Sequence, residues 1–230
     1  MSIDVPDTTP IPHTYPVNII VAGRPCLVVG GGRIAAHKVR GLQNAGADVT
    51  VVSPEVVSEL AVDPDVRWIA RRYESGDVEG HRLVITATGV EAVDAAVATD
   101  ARQAGILVNS ADDPPNCDFI LPAIVRAGDL TATISTRGRS PAVATWLRKR
   151  LERQLDTSYE GLLDLASKVR AELKTAAGTS EHPGWGAALD SAFLHVQTGD
   201  VEAALYALRN AVGLEERTIE HDSAQLEVER

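Results

Sequence analysis

An apolar run, Leu27-Val28-Val29, leads straight into three glycines, Gly30-Gly31-Gly32, and an alanine-rich helical pattern starts directly behind them. No other stretch restricts the fold as tightly. It reads as strand, tight glycine turn, helix. Gly30 makes the turn, Gly32 lets backbone approach a ligand, and Ala35 lets the helix pack close to the strand, completing Gly-x-Gly-x-x-Ala. Such a turn aims backbone N–H groups and a helix N-terminus at an anion, typically a dinucleotide pyrophosphate. Gly30, Gly31, Gly32, Arg33, Ile34 and Ala35 are therefore candidate cofactor-binding residues. Glycine clusters also make ordinary turns, so the surroundings decide.

Those surroundings alternate strand and helix. An apolar segment at 17–22 predicts a short strand. The helix behind the glycines is expected over 34–44, with Ile34, Val39, Leu42 and Ala45 on one face and Gly46 as its stop. A second strand at 48–52 completes the β-α-β unit of roughly 30 residues that the glycine motif requires. Strand two ends at Ser53-Pro54, where a dinucleotide site often has an acid on the adenosine ribose. Ser53 can exchange a hydrogen bond with a ribose hydroxyl but cannot repel a 2′-phosphate, so this position leaves NAD and NADP both open. Arg33 and Arg71 can face a phosphate or simply solvent. Further strands are expected at 66–70, 82–87 and 106–109, with a helix at 90–104 carrying Val93, Val97 and Ala101 on one face. The alternation predicts an α/β fold with a parallel, doubly wound sheet. Strand four ends in Thr86-Ala87-Thr88-Gly89, small residues at the edge where open parallel sheets bind ligands, or else a plain turn.

Strand five runs into Asn109-Ser-Ala-Asp-Asp-Pro-Pro-Asn-Cys117. Asp112 and Asp113 lie beside a Pro-Pro pair on that same edge. A carboxylate there can exchange a proton with a bound ring, and Asp before Pro is also an ordinary turn former. The period then changes. Segments 119–125 and 130–135, joined by a turn at 126–129, read as an antiparallel hairpin. Ser140 caps a helix with Pro141 at its first position, running to 155. Arg137, Arg139 and the Ser140 cap offer a seat for carboxylates, whereas Arg148, Lys149, Arg150 and Arg153 read better as a solvated basic end. Helices follow at 159–173, 187–198 and 201–212, before an acid-rich tail. The expected domains are 1–113, a nucleotide-binding sheet; 114–155, a hairpin and helix; and 156–230, a small all-helical part.

The net charge of −10 argues against nucleic acid or a membrane surface as partner. No apolar run approaches a membrane span. Residues 1–16 carry no basic or apolar leader and read as a lead-in. The two cysteines, Cys26 and Cys117, form no CxxC pair, so a disulfide framework and a cysteine zinc site are both unsupported, and a reducing, cytoplasmic setting is expected. The six histidines show no metal-ligand spacing.

The ordered motifs resemble a known family. They are Cys-Leu-Val-Val-Gly-Gly-Gly-Arg-Ile-Ala at 26–35, Ala-Gly-Ala-Asp-Val-Thr-Val-Val-Ser-Pro at 45–54 and Leu-Val-Ile-Thr-Ala-Thr at 83–88. Then come Val-Asn-Ser-Ala-Asp-Asp-Pro at 108–114, Cys-Asp-Phe-Ile-Leu-Pro-Ala-Ile-Val at 117–125 and Ile-Ser-Thr-Arg-Gly-Arg-Ser-Pro-Ala-Val-Ala at 134–144. Collinear over residues 15–155, they are similar to the precorrin-2 dehydrogenase/sirohydrochlorin ferrochelatase family of siroheme synthesis. The resemblance implies a Rossmann-like NAD domain, a dimerisation hairpin and helix, and a small C-terminal helical domain in an interlocked homodimer. It implies NAD-dependent oxidation of precorrin-2 to sirohydrochlorin, with ferrous iron inserted by some members. It makes Asp112, in the Asn109-x-x-Asp motif, the candidate catalytic base. Beside it, Ser53, Pro54, Thr86, Ala87 and Thr88 at the sheet edge are candidate cofactor contacts, and Asn109, Arg137, Arg139 and Ser140 are the candidate seat of the acidic tetrapyrrole. The iron needs no protein metal site, because the macrocycle nitrogens supply the ligands. Chelation alone, or a nucleotide-sensing module without chemistry, are the competing readings.

Overall fold

The computed structural model describes residues 13–111 and 113–214. They divide into two units. One runs up to Leu121 and includes Arg137–Arg139; the other comprises Pro122–Thr136 and the residues from Ser140 onward.

The first unit is a five-stranded parallel sheet ordered β3-β2-β1-β4-β5. Its strands are β1 (Pro25–Val29), β2 (Asp48–Val52), β3 (Val66–Ile69), β4 (Leu83–Thr86) and β5 (Leu107–Ser110). Helices α1 (Arg33–Gln43), α2 (Ser58–Ala61) and α3 (Glu91–Gln103) connect them. Parallel strands buried on both faces read as continuous apolar runs, and β1 and β4 do. Alternate residues feed two cores: Cys26, Val28, Leu83 and Ile85 meet Ala35, Ala36, Val39 and Leu42 of α1, while Leu27, Val29 and Val84 meet Val97, Ala98 and Ala101 of α3. Register levels the carboxyl ends, with Val29 opposite both Val52 and Thr86, and Thr86 opposite Ser110. Strand order reverses between β1 and β4, so the binding crevice of such sheets opens there.

Three expectations are corrected. Residues 17–22 form no strand, because no neighbour pairs with them: Val17 and Ile20 are exposed, while Val21 plugs the core and Ile19 packs against it. Ile34 is half exposed at 51% and lies off the buried face of α1, which is Ala35, Ala36, Val39 and Leu42. The sheet unit also runs past residue 113. Asp118 binds both backbone polar groups of Val108, at 2.8 and 3.2 Å, and a 3-10 turn (Pro114–Asn116) fills the interval, which ties 114–121 to β5.

In the second unit β6 (Ala123–Ala127) and β7 (Leu130–Ile134) form the antiparallel hairpin. The first strand starts later than 119 because Phe119 is held by Asn109. Helix α4 (Pro141–Glu152) starts as expected, with the Ser140 hydroxyl accepting the Val143 N–H at 3.2 Å. Helices α5 (Thr157–Ala177), α6 (Trp185–Gln197) and α7 (Val201–Ala211) share a core of Val169, Leu173, Ala188, Ala192, Ala204 and Leu208. Asp156 and Asp200 cap α5 and α7. Arg209 of α7 grips Glu172 of α5 through two bonds of 2.8 Å. The hairpin, α4 and α5–α7 therefore cluster as one unit rather than separating at 155. No helix among the described residues is long and apolar enough to cross a membrane.

Candidate functional site

Gly30 continues the β1 ladder, its N–H reaching Val52 O at 3.0 Å, so its donor is used inside the sheet. Its φ of +122° suits glycine alone, and a Cβ there would stand 2.7 Å from the carbonyl carbon of Ala87. A Cβ on Gly31 would overlap the Glu55 carbonyl and stand 2.8 Å from Ser53 Oγ. Nothing lies within 4 Å of a Cβ on Gly32. The two inner contacts are steric; the third position faces open space. Gly32 is also the N-cap of α1 and offers no side-chain cap. The first intrahelical bond runs from Ala36 N to Gly32 O. The N–H groups of Arg33, Ile34 and Ala35 lie ahead of it and have no acceptor within the helix. The capped starts of α4, α5 and α7 contrast with this end. A phosphate at Gly32 meets these donors and the positive end of the helix dipole, so the residues fit a dinucleotide.

At the end of β2, Ser53 is buried and gives its hydroxyl hydrogen to Glu55 O at 2.7 Å. Only its lone pairs remain for a ribose, which narrows the expected role. Trp68 Nε1 donates to Ser53 O at 2.9 Å, and Val57 N donates to Gly31 O, so the Ser53–Pro54 corner is braced from both sides. Arg71 is not available to a phosphate. It forms two 2.7 Å bonds with Asp77, and that guanidinium holds the Asp77 carboxyl below its usual range.

At the end of β4 one acid organises the turn. Asp94, in the first turns of α3 and buried, accepts from the Thr86 hydroxyl, the Thr88 hydroxyl at 2.7 Å and the Thr88 N–H at 3.2 Å. The sequence reading missed it. The available signal was an acid on the apolar stripe of α3, shared with Val97, Ala98 and Ala101, just after Thr-x-Thr.

The β5 loop is closed by Cys117. Its Sγ lies 3.3 Å from Ser110 N, 3.2 Å from Ser110 O, 3.4 Å from Asp113 O and 3.4 Å from Asn109 Nδ2. Burial raises the Cys117 thiol pKa, which keeps it protonated and able to donate. Asn109 is buried, with its amide hydrogens directed at Phe119 O and Cys117 Sγ. These bonds make it an anchor of the loop. Asp113 accepts from Asn116 Nδ2 at 2.7 Å. Asp112 lies outside the described residues. Arg137 adopts a left-handed φ of 53° and meets His13 at 3.4 Å, Arg139 is exposed, and Ser140 spends its oxygen on the α4 cap.

Comparisons with known proteins point to nucleotide binding for the sheet unit. The model of an NAD(P)-binding family matches residues 17–123. The siroheme synthase of Methylococcus capsulatus is 42% identical over 164 residues, 70% of this chain and 35% of that protein. That of Methylobacillus flagellatus is 39% identical over 172 residues, 74% of this chain and 37% of its own length. A solved structure titled SirC, precorrin-2 dehydrogenase, superposes with a TM-score of 0.61 at 25% identity, covering 89% of this chain and all of that one. Over most of its length the chain is similar to siroheme synthases and to a precorrin-2 dehydrogenase. Its sheet unit is an NAD(P)-binding domain with an α/β Rossmann-like fold. The chain spans about a third of the length of the siroheme synthases it matches.

Proposed function

We propose that this chain oxidises precorrin-2 to sirohydrochlorin with NAD, a step of siroheme biosynthesis. One juxtaposition carries the reading. The loop bearing Asp112 and Asp113 is anchored at the carboxyl end of β5, level with a glycine turn built for a dinucleotide two strands away. Bound NAD supplies the hydride acceptor. Gly32 and the N–H groups of Arg33, Ile34 and Ala35 hold its pyrophosphate, while Ser53 and Pro54 border its ribose and Thr86, Ala87 and Thr88 its ring. Asp112 takes the proton that leaves the macrocycle as the hydride departs. Arg137 and Arg139 receive the acidic side chains of the tetrapyrrole. A nucleotide sensor without chemistry needs neither this acid loop nor those arginines.

The reaction belongs in a reducing cytoplasm, supported by the two free thiols. The catalytic form is a homodimer, supported by α4, none of whose residues is buried and whose Val143 and Trp146 are more than half exposed. Ferrous iron is a second substrate, taken by the sirohydrochlorin nitrogens. Absorbance tests the reading. Incubation with precorrin-2 and NAD yields the sirohydrochlorin spectrum, and added ferrous iron then yields that of siroheme. An unchanged spectrum in the first step removes the dehydrogenase; an unchanged spectrum in the second, above the spontaneous rate, removes only the chelatase.

A further inference from the structure

Asp94 is the one buried acid among the described residues. A buried carboxylate is costly unless its lone pairs are met by donors, and here three donors converge. The Thr86 hydroxyl, the Thr88 hydroxyl and the Thr88 N–H all point to the same atom, Oδ1. The bonds cross from the end of β4 to the first turns of α3, so they close the turn between strand and helix. Val90 N–H in turn donates to the Thr88 hydroxyl oxygen at 3.0 Å, extending the chain of bonds to the residue before α3.

What this turn holds is the floor of the crevice. Ala87 sits between the two threonines. Its N–H reaches Val29 O at 2.8 Å, and its carbonyl group is the surface against which Gly30 packs. On the other side Ala111 N–H reaches Thr86 O at 2.9 Å, at the root of the acid-bearing loop. One side chain thus braces the segment that touches both the glycine turn and the β5 loop.

We propose that Asp94 is a positioning residue for the dinucleotide site: its Oδ1 sets the Thr86–Thr88 turn against which the glycine turn packs. The proposal rests on the reading of this edge as an NAD site, and it makes a chemical distinction of its own. Because a single oxygen accepts all three bonds, an amide oxygen in the same place serves equally. Acceptor geometry matters, not charge.

The test uses the full chain and two measurements. The first is the Kd for NAD by calorimetry. Asp94→Ala raises it about tenfold, the loss expected when buried donors are left without their acceptor, whereas Asp94→Asn stays within about threefold of the parent. Thr88→Val removes one donor without removing volume and raises Kd in the same direction, and combining it with Asp94→Ala adds little. The second is amide hydrogen exchange of residues 86–90 in the protein without nucleotide. Asp94→Ala speeds it and Asp94→Asn does not. Parent-like binding and exchange in Asp94→Ala overturn the proposal, as does an Asn variant as impaired as the Ala variant in either measurement. If Asp94→Ala fails to fold, unchanged values in Thr88→Val overturn it. A parent protein that does not bind NAD defeats the proposed function instead, and the exchange measurement still decides the role of Asp94.

Discussion

Gly31 and Glu55 approach so closely that no side chain fits between them, the Glu55 carbonyl carbon lying 2.9 Å from where a Cβ on Gly31 would stand. The middle glycine of the turn is therefore held by sterics, while its neighbour Gly32 faces open space. Gly31→Ala forces the Ser53–Glu55 corner to move, at about 1–3 kcal/mol of stability by analogy with overpacked cores. Gly32→Ala costs less, about 0.5–1 kcal/mol for a poorer N-cap, but places a methyl at the proposed pyrophosphate position. Thermal unfolding and NAD titration separate the two: Gly31→Ala loses more melting temperature, and Gly32→Ala loses binding out of proportion to its small loss of stability. A Gly32→Ala variant with parent affinity removes the pyrophosphate from this turn.

The two adjacent acids of the β5 loop divide their work. Asp113 accepts from Asn116 and so shapes the loop; Asp112 is the proposed proton-transfer group. Asp112→Ala lowers kcat for precorrin-2 oxidation by about 100-fold or more, the scale of a lost general base, with KM for NAD unchanged. Asp113→Ala costs less than about tenfold, within the range of a displaced loop rather than a lost base. Steady-state turnover of both variants checks the assignment, and full activity in Asp112→Ala sinks it.

The interior of the sheet sets an alkaline limit. Cys26 is fully buried, and burial first, then the Asp48 carboxylate, push its thiol from 9.0 up to about 11. Below pH 9 the thiol is protonated in folded and unfolded chains alike, so stability carries no slope from it. Between 9 and 11 the unfolded chain releases the proton while the folded one keeps it, and stability falls as pH rises by about 1.4 kcal/mol per unit. Urea unfolding at pH 8, 9, 10 and 11, compared with Cys26→Ala, isolates this slope. Parallel curves for the two proteins refute it.

These relationships mark what a sequence reveals and what it conceals. The stretch from Leu27 to Val52 was readable because strand, turn and helix are local, and the glycines announce the turn before any partner is known. The helices expected at 159–173 and 201–212 were equally plain, and Val169, Leu173 and Leu208 within them are buried. Val201 is exposed at 55%, since it begins α7 outside the packed turns. Pairing was the hidden term. Residues 17–22 look like a strand, but no strand runs beside them. The roles of Gly31, Asn109 and Asp94 depend on Glu55, Phe119 and Thr86, contacts that the chain makes only once it has folded.

Helix α4 has an apolar side that its own unit leaves uncovered. Val143 is 51% exposed and Trp146 59%, one helical turn apart on the same face. Arg150, a further turn along, lies over the Trp146 ring at 5.8 Å and shields one side of it. Exposed tryptophan with flanking arginine is the composition of an interface centre, where truncating an anchor costs about 2 kcal/mol or more. If α4 forms the homodimer contact, Trp146→Glu weakens association by about 30-fold or more and shifts the protein from dimer to monomer in light scattering at micromolar concentration. The change lies on a surface already open in the single chain, so the melting temperature measured at high dilution, where both proteins are monomeric, stays the same. A parent protein that is monomeric at those concentrations, or a Trp146→Glu variant that remains dimeric, places the interface elsewhere.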